Sequence, residues 1–362
     1  MQYNFVILHH QNAMTTMVIQ PSHIERLNEC ISKASRTVIV THMKPDGDAM
    51  GSALAMYHFL KKYFHVTPEI VLNDRFQSCL EFLIDPKTSE DIHIFSEDQT
   101  AATESIETAD LIICLDFNAF HRTDRLCSHL ERSNAVKILI DHHLNPDLAN
   151  FDLTFSETAI SSASELLYQI LMAMPQINGE AGALPTETAA ALMTGMTTDT
   201  NNFANSVYPS TLVMASTLLA AGVDRDYILD RLFNQYGENR LRLMGHTMKD
   251  LLTITEDGAA YMILDQKTLA EYDIKEGDTE GFVNMPLSIA GVRMSLLLKE
   301  DGNKIRVSIR SKKGTSANMC ARLYFNGGGH ENAAGGRLEI PITQAEEYIR
   351  HHVHKYFTEN ES

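Results

Sequence analysis

No apolar run in the sequence approaches the roughly 20 residues needed to cross a bilayer, so no membrane-spanning helix is expected. The opening stretch MQYNFVILHHQNAMTTMVIQ lacks both a basic n-region and a small-residue cleavage site, and it reads poorly as a signal peptide. Met14 and Met17 leave room for an internal start. There is no C-x-x-C pair. The five cysteines, Cys30, Cys79, Cys114, Cys127 and Cys320, are odd in number and widely spaced. They read as reduced thiols of a cytoplasmic protein and argue against a thiolate zinc site. Internal repeats and low-complexity tracts are absent as well. Positive charge is scarce: 30 Lys and Arg against 47 Asp and Glu leave a formal charge of −17. Long-range attraction to a nucleic-acid backbone is therefore not the overall design. A polyanionic substrate would need metal ions and a local basic patch.

What remains is ordinary globular composition, 44% hydrophobic and 21% charged, on a chain of 362 residues that is long for one core. Two domains are expected. The first two-thirds alternate short apolar runs with helical patterns, the signature of a parallel sheet with helical crossovers. TVIV (37–40), IVL (70–72), LIICL (111–115) and VKILI (136–140) read as strands; Gly51–Lys62, Thr158–Met172 and Thr186–Met196 read as helices, the last two opened by Thr caps. The charged stretch 224–252 reads as a helical connector. Beyond it AAYMIL (259–264), VRMSLLL (292–298) and KIRVSIR (304–310) read as strands, with EDGNK a hairpin turn, before a last helix over Gln344–Phe357.

Four segments carry chemistry, and each sits where an element ends. VIVTHMKPDGDAMGS places His42, Asp46 and Asp48 after the first strand, with Pro45 and Gly47 shaping the loop. LIICLD places Asp116 directly after another strand. VKILIDHH delivers Asp141, His142 and His143, and MTTDTNNF places Asp199 at the end of a helical run. In open α/β sheets ligands bind beyond the carboxyl ends of the strands, so these segments converge on one crevice. One Asp after a strand is commonly a cap, and one His pair commonly a surface accident; His9–His10 and His351–His352 read that way. Three polar residues at the tip of a buried strand serve no structural need. The collected oxygen and imidazole donors suit Mn²⁺, Mg²⁺ or Fe²⁺, and they are enough for two ions about 3.5–4 Å apart that share a carboxylate.

The second region reverses the sign of charge. Lys304, Arg306, Arg310, Lys312, Lys313 and Arg322 occur between 304 and 322 with no acidic residue among them, and the glycine-rich GGGH (327–330) follows. Glycines allow close backbone approach, and Arg310 can fork onto phosphate oxygens. The competing reading is a solvated edge strand. Phe203, Tyr324 and Phe325 could stack on a base, though core packing is the commoner reason for such aromatics.

These motifs resemble the DHH phosphoesterase family: T-H-x-x-P-D-G-D-A-x-G-S, strand-end Asp116, D-H-H at 141–143 and G-x-x-x-D ending at Asp199. GGGHENAAGG (327–336) resembles the signature of the DHH-associated C-terminal domain found in the branch of nanoRNA oligoribonucleases and 3′-phosphoadenosine 5′-phosphate (pAp) phosphatases, which includes exopolyphosphatase-related proteins. The resemblance implies an α/β chain with a parallel-sheet catalytic domain over 18–223, a helical linker over 224–252 and a smaller mixed-sheet domain over 253–357. It implies two Mn²⁺, with Mg²⁺ or Fe²⁺ as substitutes. One would be held by His42, Asp46, Asp116 and Asp199; the other by Asp48, Asp116, His142 and Asp199, with Asp116 as the bridge. His143 would lie near the scissile phosphate and Asp141 would orient the histidines. Arg310, Ser311, Gly327, Gly328, Gly329 and His330 would hold the substrate. One departure stands out: Asn326 takes the place of a first glycine, which implies altered loop geometry. The implied function is a cytoplasmic Mn-dependent phosphoesterase that cuts short RNA or DNA oligonucleotides or removes the 3′-phosphate of pAp. The alternative is a phosphodiesterase for cyclic or linear dinucleotides such as c-di-AMP or pApA. Pyrophosphatase, a processive exonuclease and a silent nucleotide-binding module fit less well, and a homodimer is allowed.

Overall fold

The computed structural model describes residues 19–275 and 277–360; the alternative starts Met14 and Met17, and the expected domain start at residue 18, lie outside them. These residues form two units, one running to Ile228 and the other from Leu229 on, with residues 77–79 belonging to the second.

The first unit contains six strands: β1 (Thr37–Thr41), β2 (Glu69–Leu72), β3 (Ile92–Ile94), β4 (Leu111–Leu115), β5 (Val136–Asp141) and β6 (Leu153–Ser156). All are parallel, in the order β3-β2-β1-β4-β5-β6. Every residue of β1 and β4 is buried, which is why both read as unbroken apolar runs rather than alternating ones. α1 (Pro21–Lys33) precedes β1, and the crossovers use α2 (Gly47–Tyr63), α3 (Pro86–Glu90), α4 (Gln99–Thr108) and α5 (Cys127–Arg132); α6 (Ala163–Ala173), α7 (Thr186–Asp199) and α8 (Pro209–Ala220) follow the sheet. The order of connections reverses between β1 and β4, and this is the position where such sheets open a crevice.

Two helix starts differ from the sequence reading. α6 begins at Ala163 rather than Thr158, because Ser162 is the cap and its hydroxyl accepts from Glu165 N at 3.0 Å. α2 begins at Gly47, four residues early, with Asp46 as its cap accepting from Asp48 N and Ala49 N at 3.0 and 3.1 Å. Gly47 is needed for packing rather than for a turn, since a Cβ there would lie 2.3 Å from Thr198 Oγ1.

α9 (Arg225–Phe233) and α10 (Glu238–His246), with a π-turn at 247–251, cover the charged stretch. The second unit's strands are β7 (Thr253–Ile254), β8 (Ala259–Leu264), β9 (Met294–Asp301), β10 (Lys304–Ser311), β11 (Gly328–Gly329) and β12 (Ala333–Leu338), in the order β11-β12-β10-β9-β8-β7. Only β8 and β9 pair in parallel, and α11 (Gln266–Glu271) lies in their connection. β9 and β10 join through a two-residue loop with Gly302 at φ 61°. One sheet face packs Leu296, Leu298, Ile305, Val307 and Ile309 under α12 (Ala317–Tyr324) and α13 (Ala345–Asn360), while Met262, Leu264 and Leu297 meet Leu243 and Phe282 on the other face. Among the described residues no helix is long and apolar enough to cross a membrane.

Candidate active site

The ends of β1 and β4 place His42 and Asp116 side by side at the reversal point. His42 Nε2 lies 3.4 Å from Asp116 Oδ2 and 3.7 Å from Asp46 Oδ1, while its Nδ1 is 2.8 Å from Met43 O. That contact to a carbonyl requires a proton on Nδ1, so Nε2 is left as the donor atom facing the carboxylates. Asp116 stands at φ 62°, a left-handed conformation that Asp tolerates better than most residues. β5 ends in Asp141, whose two oxygens grip His143: Oδ1 is 2.7 Å from Nδ1 and Oδ2 accepts from His143 N at 3.1 Å. His142 Nε2 faces three carboxylates, at 3.4 Å from Asp116 Oδ1, 3.6 Å from Asp199 Oδ2 and 3.8 Å from Asp48 Oδ2.

Asp48 and Asp199 are delivered by two helices that cross at glycine. A Cβ on Gly51 of α2 would meet Ala191 O at 2.7 Å and Gly195 Cα at 2.8 Å. α7 then ends at Asp199 in a left-handed turn with Asn201, Asn202 and Phe203 at φ 46°, 55° and 67°, tied back by Phe203 N donating to Thr200 Oγ1 at 3.1 Å. Three successive left-handed residues without glycine are strained, and such strain concentrates at functional sites.

Electrostatics follow from packing four carboxylates together. Burial and the charges of Asp116 and Asp199 push the Asp48 carboxyl well above the usual carboxylate range. Burial also opposes the charge on Asp116, but His142 and His42 facing it outweigh that and hold it well below that range. Burial likewise opposes protonation of His42 and His142, yet the carboxylates raise both to about 10. The cluster demands positive charge.

The donors fit cations. His42, Asp46 and Asp116 form one group with donor atoms within 4.8 Å of one another, and Asp48, Asp116 and His142 form another. Asp116 belongs to both groups, and its buried Oδ1 has no hydrogen-bond partner. The donors are oxygen and imidazole nitrogen, the hard set suited to Mn²⁺ or Mg²⁺. Asp199 faces His142 and is a quarter exposed, and Asp141 contacts His143.

Two further elements of this site lie outside the four motifs. Ala163 N and Ser164 N, at the start of α6, donate to Asp48 Oδ2 and Oδ1 at 2.6 and 2.9 Å. Glu165, one residue on, is fully buried. The S-x-x-E spacing of Ser162 and Glu165 is a capping signal in the sequence that would have located this helix start.

In the second unit the basic stretch is partly neutralised within its own sheet. Lys304 pairs with Glu339 at 3.2 Å and Arg306 with Asp301 at 2.8 Å. Arg310 Nη1 donates to Ile309 O at 3.0 Å. Ser311 is buried and donates to Thr315 O at 2.6 Å while accepting from Asn332 Nδ2 at 3.0 Å, so it holds the loop. Packing claims two of the three glycines. A Cβ on Gly327 would lie 1.9 Å from Gly335 O, and one on Gly329 would lie 2.6 Å from Ala333 O. Gly328 has only Asn318 Oδ1 and Arg322 Cγ nearby, at 3.5 and 3.9 Å. Asn326 sits at φ 47°, where asparagine can stand in for glycine. His330 is half-buried, with its amide donating to Ala333 O at 2.8 Å.

Residues 36–196 match the DHH family, N-terminal domain, and residues 258–359 match the DHHA1 domain. The chain belongs to the DHH family. It is a metal-dependent hydrolase of phosphoester bonds. Among curated relatives, the bifunctional oligoribonuclease and PAP phosphatase NrnA of Thermus thermophilus is 30% identical over 88% of this chain and 90% of its own length. The Bacillus subtilis protein of the same name is 29% identical over 85% and 91%. A cyclic-di-AMP phosphodiesterase, GdpP of Geobacillus thermodenitrificans, is 24% identical over 91% of this chain but 49% of its own length. The crystal structure of an exopolyphosphatase-related protein from Bacteroides fragilis superposes with TM-score 0.87 at 37% identity, covering 95% of this chain and 98% of that one. A structure of exonuclease RecJ bound to manganese shares the fold at TM-score 0.52 and 15% identity, covering 94% of each chain.

Proposed function

We propose that this protein is a two-ion, Mn-dependent phosphoesterase that cleaves short oligoribonucleotides to mononucleotides and removes the 3′-phosphate of pAp. The observation that carries the reading is Asp116, shared between two donor groups at the reversal point of the sheet. The two NrnA relatives, which cover most of this chain, support the substrate class. His42, Asp46 and Asp116 would hold one ion and Asp48, Asp116 and His142 the other, with Asp199 beside His142 as a further ligand. When bound, such ions activate water and neutralise the charge that develops on the phosphoryl group.

The chain's own residues do the rest. Asp141 fixes the His143 ring through Nδ1, so His143 acts through Nε2, where it can meet a phosphate oxygen or hand a proton to the leaving oxygen. Arg310, Gly328 and His330 would hold the remainder of the nucleotide. Cleavage of c-di-AMP or linear pApA is the second reading, favoured by the phosphodiesterase relative. The five cysteines, all free, fit a reducing cytoplasm.

The test is one substrate panel with Mn²⁺: pAp, RNA of two to five nucleotides, c-di-AMP, pApA and pyrophosphate. Phosphate or mononucleotide release from pAp and short RNA, exceeding turnover of the cyclic dinucleotide, is the expected result. Preferential turnover of c-di-AMP or of pyrophosphate would overturn the ranking. In the same assay Arg310→Ala should raise KM for pAp roughly 10- to 100-fold, the scale of a lost charge-assisted hydrogen bond, with kcat little changed. An unchanged KM would remove Arg310 from the substrate site.

A further inference from the structure

We infer that Glu165 is a positioning residue for the metal centre, acting through the start of α6 on Asp48. The inference rests on the two-ion reading above. Glu165 is fully buried between helices, where an apolar side chain would pack at lower cost unless the carboxylate is satisfied. It is satisfied by a specific set. Its Oε2 accepts from Ser161 N at 3.2 Å, from the Ser161 hydroxyl, and from Thr211 Oγ1 at 2.6 Å, while Gln169 Nε2 donates to Oε1 at 3.5 Å. Thr211 lies in the first turn of α8 and also accepts from Tyr208 N at 3.1 Å. One carboxylate therefore ties the entry of α6 to the entry of α8.

The consequence appears two residues away. Ser162 caps α6, and the next two amides, Ala163 N and Ser164 N, take both oxygens of Asp48. Two donors on two oxygens fix the carboxylate plane, and the amides sit at the positive end of a helix. Asp48 Oδ2 is thereby directed to within 3.8 Å of His142 Nε2, inside the second donor group. Among the described residues, no hydrogen bond or ion pair joins the first donor group, His42, Asp46 and Asp116, to α6. Loosening Ser161 should therefore affect one ion site and spare the other.

The test is Mn²⁺ titration calorimetry on the full chain, with thermal unfolding measured alongside without metal. Glu165→Gln keeps the shape and an acceptor oxygen but removes the charge that strengthens the bonds from Ser161 and Thr211. It should weaken one of two Mn²⁺ sites by about 10- to 100-fold, the usual effect of removing a group that orients a ligand, and leave the other unchanged. Thr211→Val removes one of the bonds to Glu165, together with the Tyr208 N cap of α8, and should give a smaller shift at the same site, which covers the case in which Glu165→Gln fails to fold. Leu171→Ala, a cavity in the buried face of α6, should lower the melting temperature without changing either affinity. Two wild-type affinities in the folded Glu165 and Thr211 variants, or equal weakening of both sites, would overturn the inference. Absence of Mn²⁺ binding by the wild-type chain would instead overturn the two-ion reading.

Discussion

Asp116→Asn is expected to lower kcat/KM by on the order of 10³-fold or more, the scale set by losing several kcal/mol of charge stabilisation in the transition state. Asn is a cleaner choice than Ala, because it accepts the left-handed backbone at φ 62°. The charge of Asp116 disfavours that of neighbouring Asp48, but it is itself held by His142 and His42. Removing it loses those two ion pairs, so the metal-free melting temperature should fall. The increment in melting temperature on adding Mn²⁺, which measures binding to the folded state, should shrink sharply. Calorimetry should show the loss at both sites, in contrast to the single-site effect expected for Glu165→Gln. Near-normal turnover of Asp116→Asn with Mn²⁺ present would sink the assignment of Asp116 as the shared ligand.

The second large effect is steric. Gly51→Ala should destabilise the first unit by about 1–3 kcal/mol, the range for overpacking a close-packed interface. The obstructing atoms are backbone: Ala191 O at 2.7 Å and Gly195 N and Cα at 2.8 Å from the new methyl position. No rotamer change relieves them, so α2 and α7 must separate. Asp48 rides on one and Asp199 on the other. A displacement near 1 Å at a catalytic site can cost about 10²-fold in rate, and that is the expected loss for Gly51→Ala. Gly182→Ala is the control, since nothing lies within 4 Å of its Cβ position. Urea unfolding and pAp turnover on the three proteins would decide the matter. Wild-type values for Gly51→Ala would show that the helix crossing does not set the ligand spacing.

Legibility in the sequence tracked how much each element depends on its own residues. β1, β4, β5 and β8 stand out as apolar runs because burial on both faces leaves no alternation to confuse. β3 is three residues long, β6 begins with only one strong apolar residue, and β12 reads AAGGRL. By propensity the Gly335–Gly336 pair is a turn. Its partners decide otherwise: β12 pairs with β10 from Ile305–Leu338 to Arg310–Ala333, and Gly336 is bare because Phe325 O would lie 2.3 Å from a Cβ. In the site, the side chains that face a ligand are visible because polar groups at strand tips violate the apolar pattern around them. The groups that hold those side chains are backbone amides and buried caps, which break no apolar pattern and show only as the short S-x-x-E capping signal of Ser162 and Glu165. Asp48 was legible; the α6 amides that aim it were hidden behind a helix start read five residues early.

The pairing of Lys304 with Glu339 and of Arg306 with Asp301 leaves a basic patch smaller than its residue count suggests, on a chain of net charge −17. Ionic strength then acts on a nucleotide substrate in two opposing ways. At low salt, mobile counterions first screen the repulsion that extends over the whole surface, since the Debye length shrinks to about 10 Å by 0.1 M. Only at higher concentration do they compete with the short contacts that Arg310 and its neighbours would offer. Substrate capture by this protein should accordingly be best at an intermediate salt concentration, unlike that of a uniformly basic nuclease, for which every added ion is a loss.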